Sequence, residues 1–259
     1  MNLKKATLAV VIITFNESRN IARCIQSVKP IADEIIVLDS FSKDDTCEIA
    51  RDLGARVEQH AFDGHIQQKN RAWQLASSTW VLSLDADEAL DEELCANIAR
   101  ALTNETAEVS GYTMNRLTNY CGKWVRHSGW YPDTKLRLFI KGHGAWGGVN
   151  PHDRFDLHAE HSAQHLNGNI LHYSYYTRED HLKQIEYFSN IASKELYQKG
   201  KRVGLPLIYA KVVLQFLKTF VFKAGFLDGA TGFTIARLSA FATYTKYTKL
   251  RALHAHENA

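Results

Sequence analysis

Residues 8–14 read LAVVIIT, an uninterrupted apolar and β-branched run. A strand with one wet face alternates apolar with polar residues. This one does not, so both of its faces need cover. The residues that follow supply it. Ile21, Ala22, Ile25 and Val28 recur at helical spacing within 18–28, with Ser18 as the expected N-cap. A second strand is expected at 34–38 (EIIVL), a helix over 44–53 closed by Gly54, and a short strand at 55–58. A helix over 65–76, a fourth strand at 80–84 (WVLSL) and a helix over 90–102 complete the series. Repeated strand–helix units predict an α/β fold, a Rossmann-like and mostly parallel sheet with helices on both faces. Lys4 and Lys5 before an apolar run resemble a short secretion signal. The run passes straight into Asn16-Glu17-Ser18-Arg19-Asn20 without a small-residue cleavage site, so a buried strand is expected instead.

Parallel sheets bind ligands at the carboxyl ends of their strands. That rule selects Asn16 and Glu17 after the first strand, Asp39 and Ser40 after the second, and Asp85-Ala86-Asp87-Glu88 after the fourth. Two carboxylates one residue apart suit a hard divalent cation that also takes phosphate oxygens. The bland alternative is acidic residues favouring the first turn of a helix. Asp39 is a candidate acceptor for a uracil N3–H, or a turn residue. Lys69 or Arg71, in Gln68-Lys69-Asn70-Arg71, is a candidate partner for a diphosphate, or part of a solvated helix face. No G-x-G-x-x-G follows the first strand, which excludes a dinucleotide-binding dehydrogenase.

From Ser110 to about Tyr176 the pattern changes to an irregular antiparallel extension. Strands are expected at 112–117 and 136–140, with Asn167-Gly168 as a hairpin turn between 163–166 and 169–174. His158, His161 and His165 would share a face on a helix, where zinc is the sharp reading. The neighbouring turn favours strands, on which the three do not line up. His172 follows an apolar strand, where a packed, half-buried histidine is the bland reading. Trp124, Trp130, Tyr131 and Trp146 suit sugar stacking or ordinary packing. A helix is expected over 177–198.

With 45% hydrophobic and 23% charged residues, the 259-residue chain is no disordered polymer. Its four cysteines show no metal or disulfide framework spacing, which fits a reduced cytoplasmic compartment. The net charge of +3 hides an asymmetry: residues 199–259 hold ten Lys/Arg and two Asp/Glu. This tail is also rich in apolar and aromatic residues, with Lys211, Gln215 and Lys218 on one helix face. An amphipathic basic helix pair at an anionic membrane surface is expected, the alternative being helices packed on the domain. No stretch of about 18 residues is free of charge, so a simple transmembrane helix is not expected. An aromatic, apolar tail also argues against nucleic acid as a partner.

The segments TFNES, LDSFSKDDT, QQKNRAWQLASSTW and VLSLDADE resemble family 2 glycosyltransferases of the GT-A fold, densely over residues 7–100. The likeness continues loosely through Gly129–Pro132, Lys135–Phe139, Val149–Asp153, His172–Tyr175 and Gly225–Gly232. The pattern is similar to bacterial β-1,4-glucosyltransferases of the lipopolysaccharide inner core. The resemblance implies a UDP-sugar donor, glucose as the best guess, and a core heptose acceptor. It implies binding of the nucleotide sugar by Asn16, Glu17, Asp39, Lys69, Asn70 and Asp85. It assigns Mg²⁺ or Mn²⁺ to Asp85, Asp87 and His172, and the base to Asp153, where relatives often carry Glu. An inverting displacement needs one such base. Residues 1–198 would form the catalytic domain, with 1–103 its nucleotide-sugar half and 104–198 its acceptor half. Residues 199–259 would form a tail peripheral on the cytoplasmic face of the inner membrane. A capsule-polysaccharide or polyprenyl-phosphate acceptor, and a non-catalytic nucleotide-binding protein, are the alternatives. A nucleotidyltransferase would want a Gly-rich loop after the first strand, and Asn16–Asn20 has none.

Overall fold

The computed structural model describes residues 6–103, 109–149 and 152–257, the side chains of 152, 256 and 257 excepted. In chain order the elements are β1 (Leu8–Thr14), α1 (Ile21–Val28), β2 (Glu34–Asp39), α2 (Thr46–Asp52), β3 (Arg56–Gln59) and α3 (His65–Gln74). Next come β4 (Trp80–Asp85), β5 (Glu88–Leu90), α4 (Glu92–Thr103), β6 (Val109–Tyr120), β7 (Lys123–Trp124) and β8 (Asp133–Ile140). Then follow β9 (Gly144–Val149), β10 (His152–Leu157), β11 (Ser162–Tyr175), α5 (Arg178–Gln198), α6 (Leu205–Leu217) and α7 (Gly229–Glu257). The chain divides into two compact units, 1–116 with 133–173 and 117–132 with 174–259. The division falls within β6 and β11, and the boundary expected after residue 198 lies inside the second unit.

The first unit is built around β1, whose seven residues are all buried. It pairs in parallel with β2 and β4, and β2 pairs in parallel with β3. The sheet order is β3-β2-β1-β4-β8-β6-β11-β5, with β7 on β6, and β9 and β10 form a separate antiparallel pair. The alternation along β1 divides the core. Leu8, Val10 and Ile12 pack with Ile21, Ile25, Leu94 and Ile98. Ala9, Val11 and Ile13 pack with Ala72, Phe139, Trp146 and Phe155. This is the α/β architecture with a mostly parallel start, a small antiparallel sheet and C-terminal helices. Register places Thr14 opposite Asp39 and Ile13 opposite Asp85, so the strand ends that carry acidic residues come level.

Three local expectations are corrected. Ser18 does not cap α1. Its backbone N–H donates to Asp44 Oδ2 at 3.1 Å, which ties residues 16–18 to the next loop, and the helix starts at Ile21. The helix expected from residue 90 is preceded by a strand, β5, paired with β11, and α4 is capped by Asp91, which accepts from Leu94 N at 2.8 Å. Asn167-Gly168 is no hairpin, because β11 runs through it. Gly168 takes φ 97°, and a Cβ there would lie 2.4 Å from Leu94 N, so glycine is needed for both the backbone and the close approach of α4.

In the second unit α5 opens with a capping box between Thr177 and Asp180. The contact of α7 with the preceding 3₁₀ turn (Gly225–Asp228) requires glycine, since a Cβ on Gly232 would meet Gly225 O at 1.8 Å. Asp228 anchors the 126–128 loop, accepting from Arg126 N (3.2 Å), His127 N (3.0 Å) and Ser128 Oγ (3.2 Å). Residues Leu205–Phe222 have a mean hydropathy of 1.5 and suffice by length and composition to cross a membrane, with 11% of them buried. The segment contains Lys211 and Lys218, so a criterion demanding freedom from charge passes over it.

His181 lies on α5 among Tyr120, Trp130 and Tyr175, its Nδ1 at 3.3 Å from Tyr120 Oη. Burial pushes its pKa down to about 4 from 6.5. The fold therefore binds it neutral, and that stability is complete above the unfolded pKa and lost as pH falls through the folded one. Wild-type unfolding free energy should fall by up to roughly 3 kcal/mol between pH 6.5 and 4, and His181→Phe should flatten that slope. Equal slopes for both proteins in denaturant titrations would refute the assignment.

Candidate active site at the carboxyl ends of the central strands

The loops after β1 and β2 are stitched together by short polar side chains. Asn16 takes a left-handed φ of 54°. Its N–H donates to Ser42 Oγ and its Oδ1 accepts from Lys43 N, each at 2.8 Å. Glu17 N donates to Thr46 Oγ1 at 2.8 Å. Asp39 is buried and accepts from Ser42 N at 2.9 Å, Gln59 Nε2 at 3.0 Å and the Ser42 hydroxyl. Burial alone would raise its pKa, but these donors hold it below the usual carboxylate range. In this structure Asp39 organises its loop, and a nucleobase N–H would share an oxygen already in use. Burial pushes the Glu17 carboxyl up against a 2.7 Å hydrogen bond from Asn20, and the nearby charge of Asp87 adds to the rise.

Asp85, the last residue of β4, meets two buried cations. Lys69 Nζ lies 3.0 Å from Asp85 Oδ1, and Arg137 Nη2 lies 3.1 Å from Oδ2. Burial disfavours the charged carboxylate, yet Lys69 and Arg137 hold it far below the ordinary range. The same Lys69 Nζ reaches Asp153 Oδ2 on β10 at 2.8 Å. One ammonium therefore joins α3, β4 and β10, positions 69, 85 and 153. Its charge also lies 4.6 Å from the centre of the Trp146 ring. Behind Asp85, buried Glu88 accepts from Asp85 N at 2.9 Å and from Arg137 Nη2 at 3.0 Å. Glu88 thus sits on β5 as a prop for Asp85 and does not cap α4. These groups border a cleft of about 420 Å³ whose rim adds Arg116, Lys135 and Arg154.

Asp87 has a different partner. Its Oδ2 lies 3.1 Å from His172 Nε2 on β11. Burial would lower the His172 pKa, but the charge and hydrogen bond of Asp87 raise it. His172 Nδ1 is buried without a hydrogen-bond partner. Asp85 Oδ1 is likewise buried without a hydrogen-bond partner, and two carboxylates one residue apart with a neighbouring imidazole are a donor set that fits Mn²⁺ or Mg²⁺. Of these groups Asp85 is also paired with two protein cations.

The remaining expected residues fall elsewhere. The Asn70 amide clamps the backbone of Trp146, donating to its oxygen at 2.9 Å and accepting from its nitrogen at 3.0 Å, and so fixes β9 on α3. Arg71 pairs with Asp63 at 3.0 Å. Arg154 pairs with Asp156, leaving Asp153 to Lys69. Asn150 and Pro151, expected beside Asp153, lie outside the described residues. Trp130 packs on Tyr120 and Tyr175, and Trp124 is exposed. The three spaced histidines share no helix. The turn before β11 nevertheless brings His158, Glu160 and His161 together, ligand atoms within 4.8 Å, whereas His165 bonds Thr113. Sequence reasoning did not identify Arg137 as part of the site. The available signal was a lone arginine inside an apolar strand, LRLF, which only a buried carboxylate satisfies.

The family model for glycosyl transferase family 2 matches residues 9–159, and the chain belongs to that family. It is 32% identical to an uncharacterized glycosyltransferase of Rickettsia prowazekii (strain Madrid E), over 95% of this chain and 87% of that protein. It is 24% identical to the lipopolysaccharide core biosynthesis glycosyltransferase LpsC of Rhizobium meliloti (strain 1021), over 95% of this chain and 94% of that one. Among solved structures it is similar to glucosyl-3-phosphoglycerate synthase from Mycobacterium tuberculosis in complex with Mn²⁺ and UDP-glucose. That likeness has 25% identity and a TM-score of 0.37 over 44% of each chain.

Removing one partner from a buried charge cluster costs more than removing both. Arg137→Leu should destabilise the protein by about 3–5 kcal/mol in denaturant titrations, and adding Glu88→Leu should recover part of that loss. A loss below about 1 kcal/mol for Arg137→Leu would show that the guanidinium is not the support of this corner.

Proposed function

We propose that this family 2 glycosyltransferase moves a hexose, glucose, from a UDP-sugar to a heptose hydroxyl of the lipopolysaccharide inner core, with inversion. The observation that carries the reading is the convergence of Asp85 and Asp153 on Lys69 in one cleft, with Asp87 and His172 as a separate pair. The likeness to LpsC, named for lipopolysaccharide core biosynthesis, supports this class of acceptor.

Asp153 is the base in this reading. Its carboxylate takes the proton from the acceptor hydroxyl as that oxygen attacks the anomeric carbon, and UDP departs from the opposite face. The ammonium of Lys69 keeps the carboxylate aimed into the cleft. Asp85, fixed by Lys69 and Arg137, orients the donor. Asp85, Asp87 and His172 would hold Mg²⁺ or Mn²⁺, which supplies positive charge to the departing diphosphate. No second carboxylate is needed to protonate that leaving group.

The basic, apolar second unit supports a place for the enzyme on the cytoplasmic face of the inner membrane, where a lipid-anchored acceptor is met. Leu207, Tyr209, Leu214 and Phe222 are each more than half exposed there.

The test measures UDP release from a panel of UDP-hexoses with Mg²⁺ or Mn²⁺, with and without heptose-terminated core. Release from UDP-glucose that needs both metal and core is expected. Asp153→Asn should lower kcat by about 10²–10⁴ with little change in donor KM. Full turnover in folded Asp87→Ala would remove the metal site, and transfer only to capsule polysaccharide or polyprenyl phosphate would replace the acceptor. Nucleotide binding without turnover of any donor would favour a non-catalytic protein.

A further inference from the structure

The second unit holds a groove of about 720 Å³ between α5, α6 and α7. That volume lies within the roughly 300–1,000 Å³ of small-molecule sites. Leu182, Val213, Phe216, Leu238 and Phe241 make its walls apolar. Two cations, Arg178 on α5 and Arg237 on α7, also line it, and no acidic residue does. Among the described residues neither arginine has a carboxylate within salt-bridge distance. Arg237 lies 5.9 Å from the centre of the Phe233 ring, a contact that leaves its hydrogen-bond donors unspent.

An apolar trough lined by two guanidinium groups complements an amphiphile with an acidic head and a hydrocarbon chain. Guanidinium forks match phosphate oxygens, and the walls replace the water around methylene groups. The groove opens onto a surface of the same character. Leu182, Val213, Phe241 and Tyr244, which line it, are between 38% and 57% exposed. On α6 it continues into Leu214 and Leu217, and onward into Val221 and Phe222. A soluble polar ligand would leave those walls wet, and a neutral lipid would leave both arginines unmatched.

We propose that this groove binds one anionic phospholipid, its phosphate held by Arg178 and Arg237 and one acyl chain laid between α6 and α7. The inference rests on the membrane placement proposed above and adds a stoichiometric site to it. Saturation of that site would hold the second unit at the surface after bulk electrostatic attraction is screened by salt.

The experiment uses the full chain in two assays. The first is co-sedimentation with vesicles of phosphatidylglycerol or of phosphatidylcholine. The second is titration with dihexanoyl-phosphatidylglycerol below its micelle concentration, followed by calorimetry. One saturable site per chain is expected, with affinity reduced on the order of tenfold or more in R178Q/R237Q. Val213→Glu, a change at an exposed position, should weaken it comparably while leaving the melting temperature unchanged. Vesicle binding without a saturable site, or with equal affinity in R178Q/R237Q, would overturn the groove and keep the membrane reading. Absence of vesicle binding would overturn both. A concentration-dependent dimer that blocks lipid binding would identify a second copy of the chain as the occupant and overturn the proposal.

Discussion

The active corner depends on two cations that water cannot reach. Lys69 is 2% and Arg137 3% exposed, and a buried charge is tolerable only when paired. Their partners are Asp85, Asp153 and Glu88, which come from three different strands. Charge pairing therefore does what apolar packing cannot do at the edge of a sheet. It fixes the positions of carboxylates at a place that must stay open to a polar substrate. The apolar layers on either side of β1 supply the rigid ground, and the ion pairs set the direction of each acid.

The Asp-x-Asp sequence places two acids on one turn, yet the structure gives them opposite electrostatic settings. Asp85 is paired with an ammonium and a guanidinium, which fix it as a preorganised anion, although its Oδ1 takes no hydrogen bond. Asp87 faces an imidazole, a softer and exchangeable partner. Residue spacing alone is symmetric and does not distinguish the two.

Most of the central sheet was legible because both-face burial leaves an unmistakable pattern. β1 falls on the residues expected, and β2 and β4 each extend by the one acidic residue that the site uses. What was not legible depended on tertiary partners. Ser18 is a good cap by type, but Asp44 claims its N–H. Asn167-Gly168 is a good turn by type, but the close approach of α4 makes Gly168 a strand residue. Asn70 neighbours Lys69 in sequence, yet one helical step turns its amide onto Trp146 and away from the cleft. Arg137 and Glu88 carried weak signals singly, because their meaning lies in meeting each other.

The tail shows the same limit from the opposite side. Counting lysines along 205–222 makes the segment look too charged to enter a bilayer, and counting apolar residues makes it look like a core helix. The structure supports neither reading, since the segment is mostly exposed and α6 packs with α7. Apolar side chains left in water cost free energy in proportion to their area, and basic residues among them set the sign of the surface that relieves that cost. An anionic interface satisfies both at once, whereas a neutral protein partner satisfies only the apolar half. For an enzyme of this family, such a surface would turn the search for a lipid-borne acceptor from three dimensions into two. Activity would then depend on the second unit even though, among the described residues, the ion-paired corner around Lys69 is built from the first.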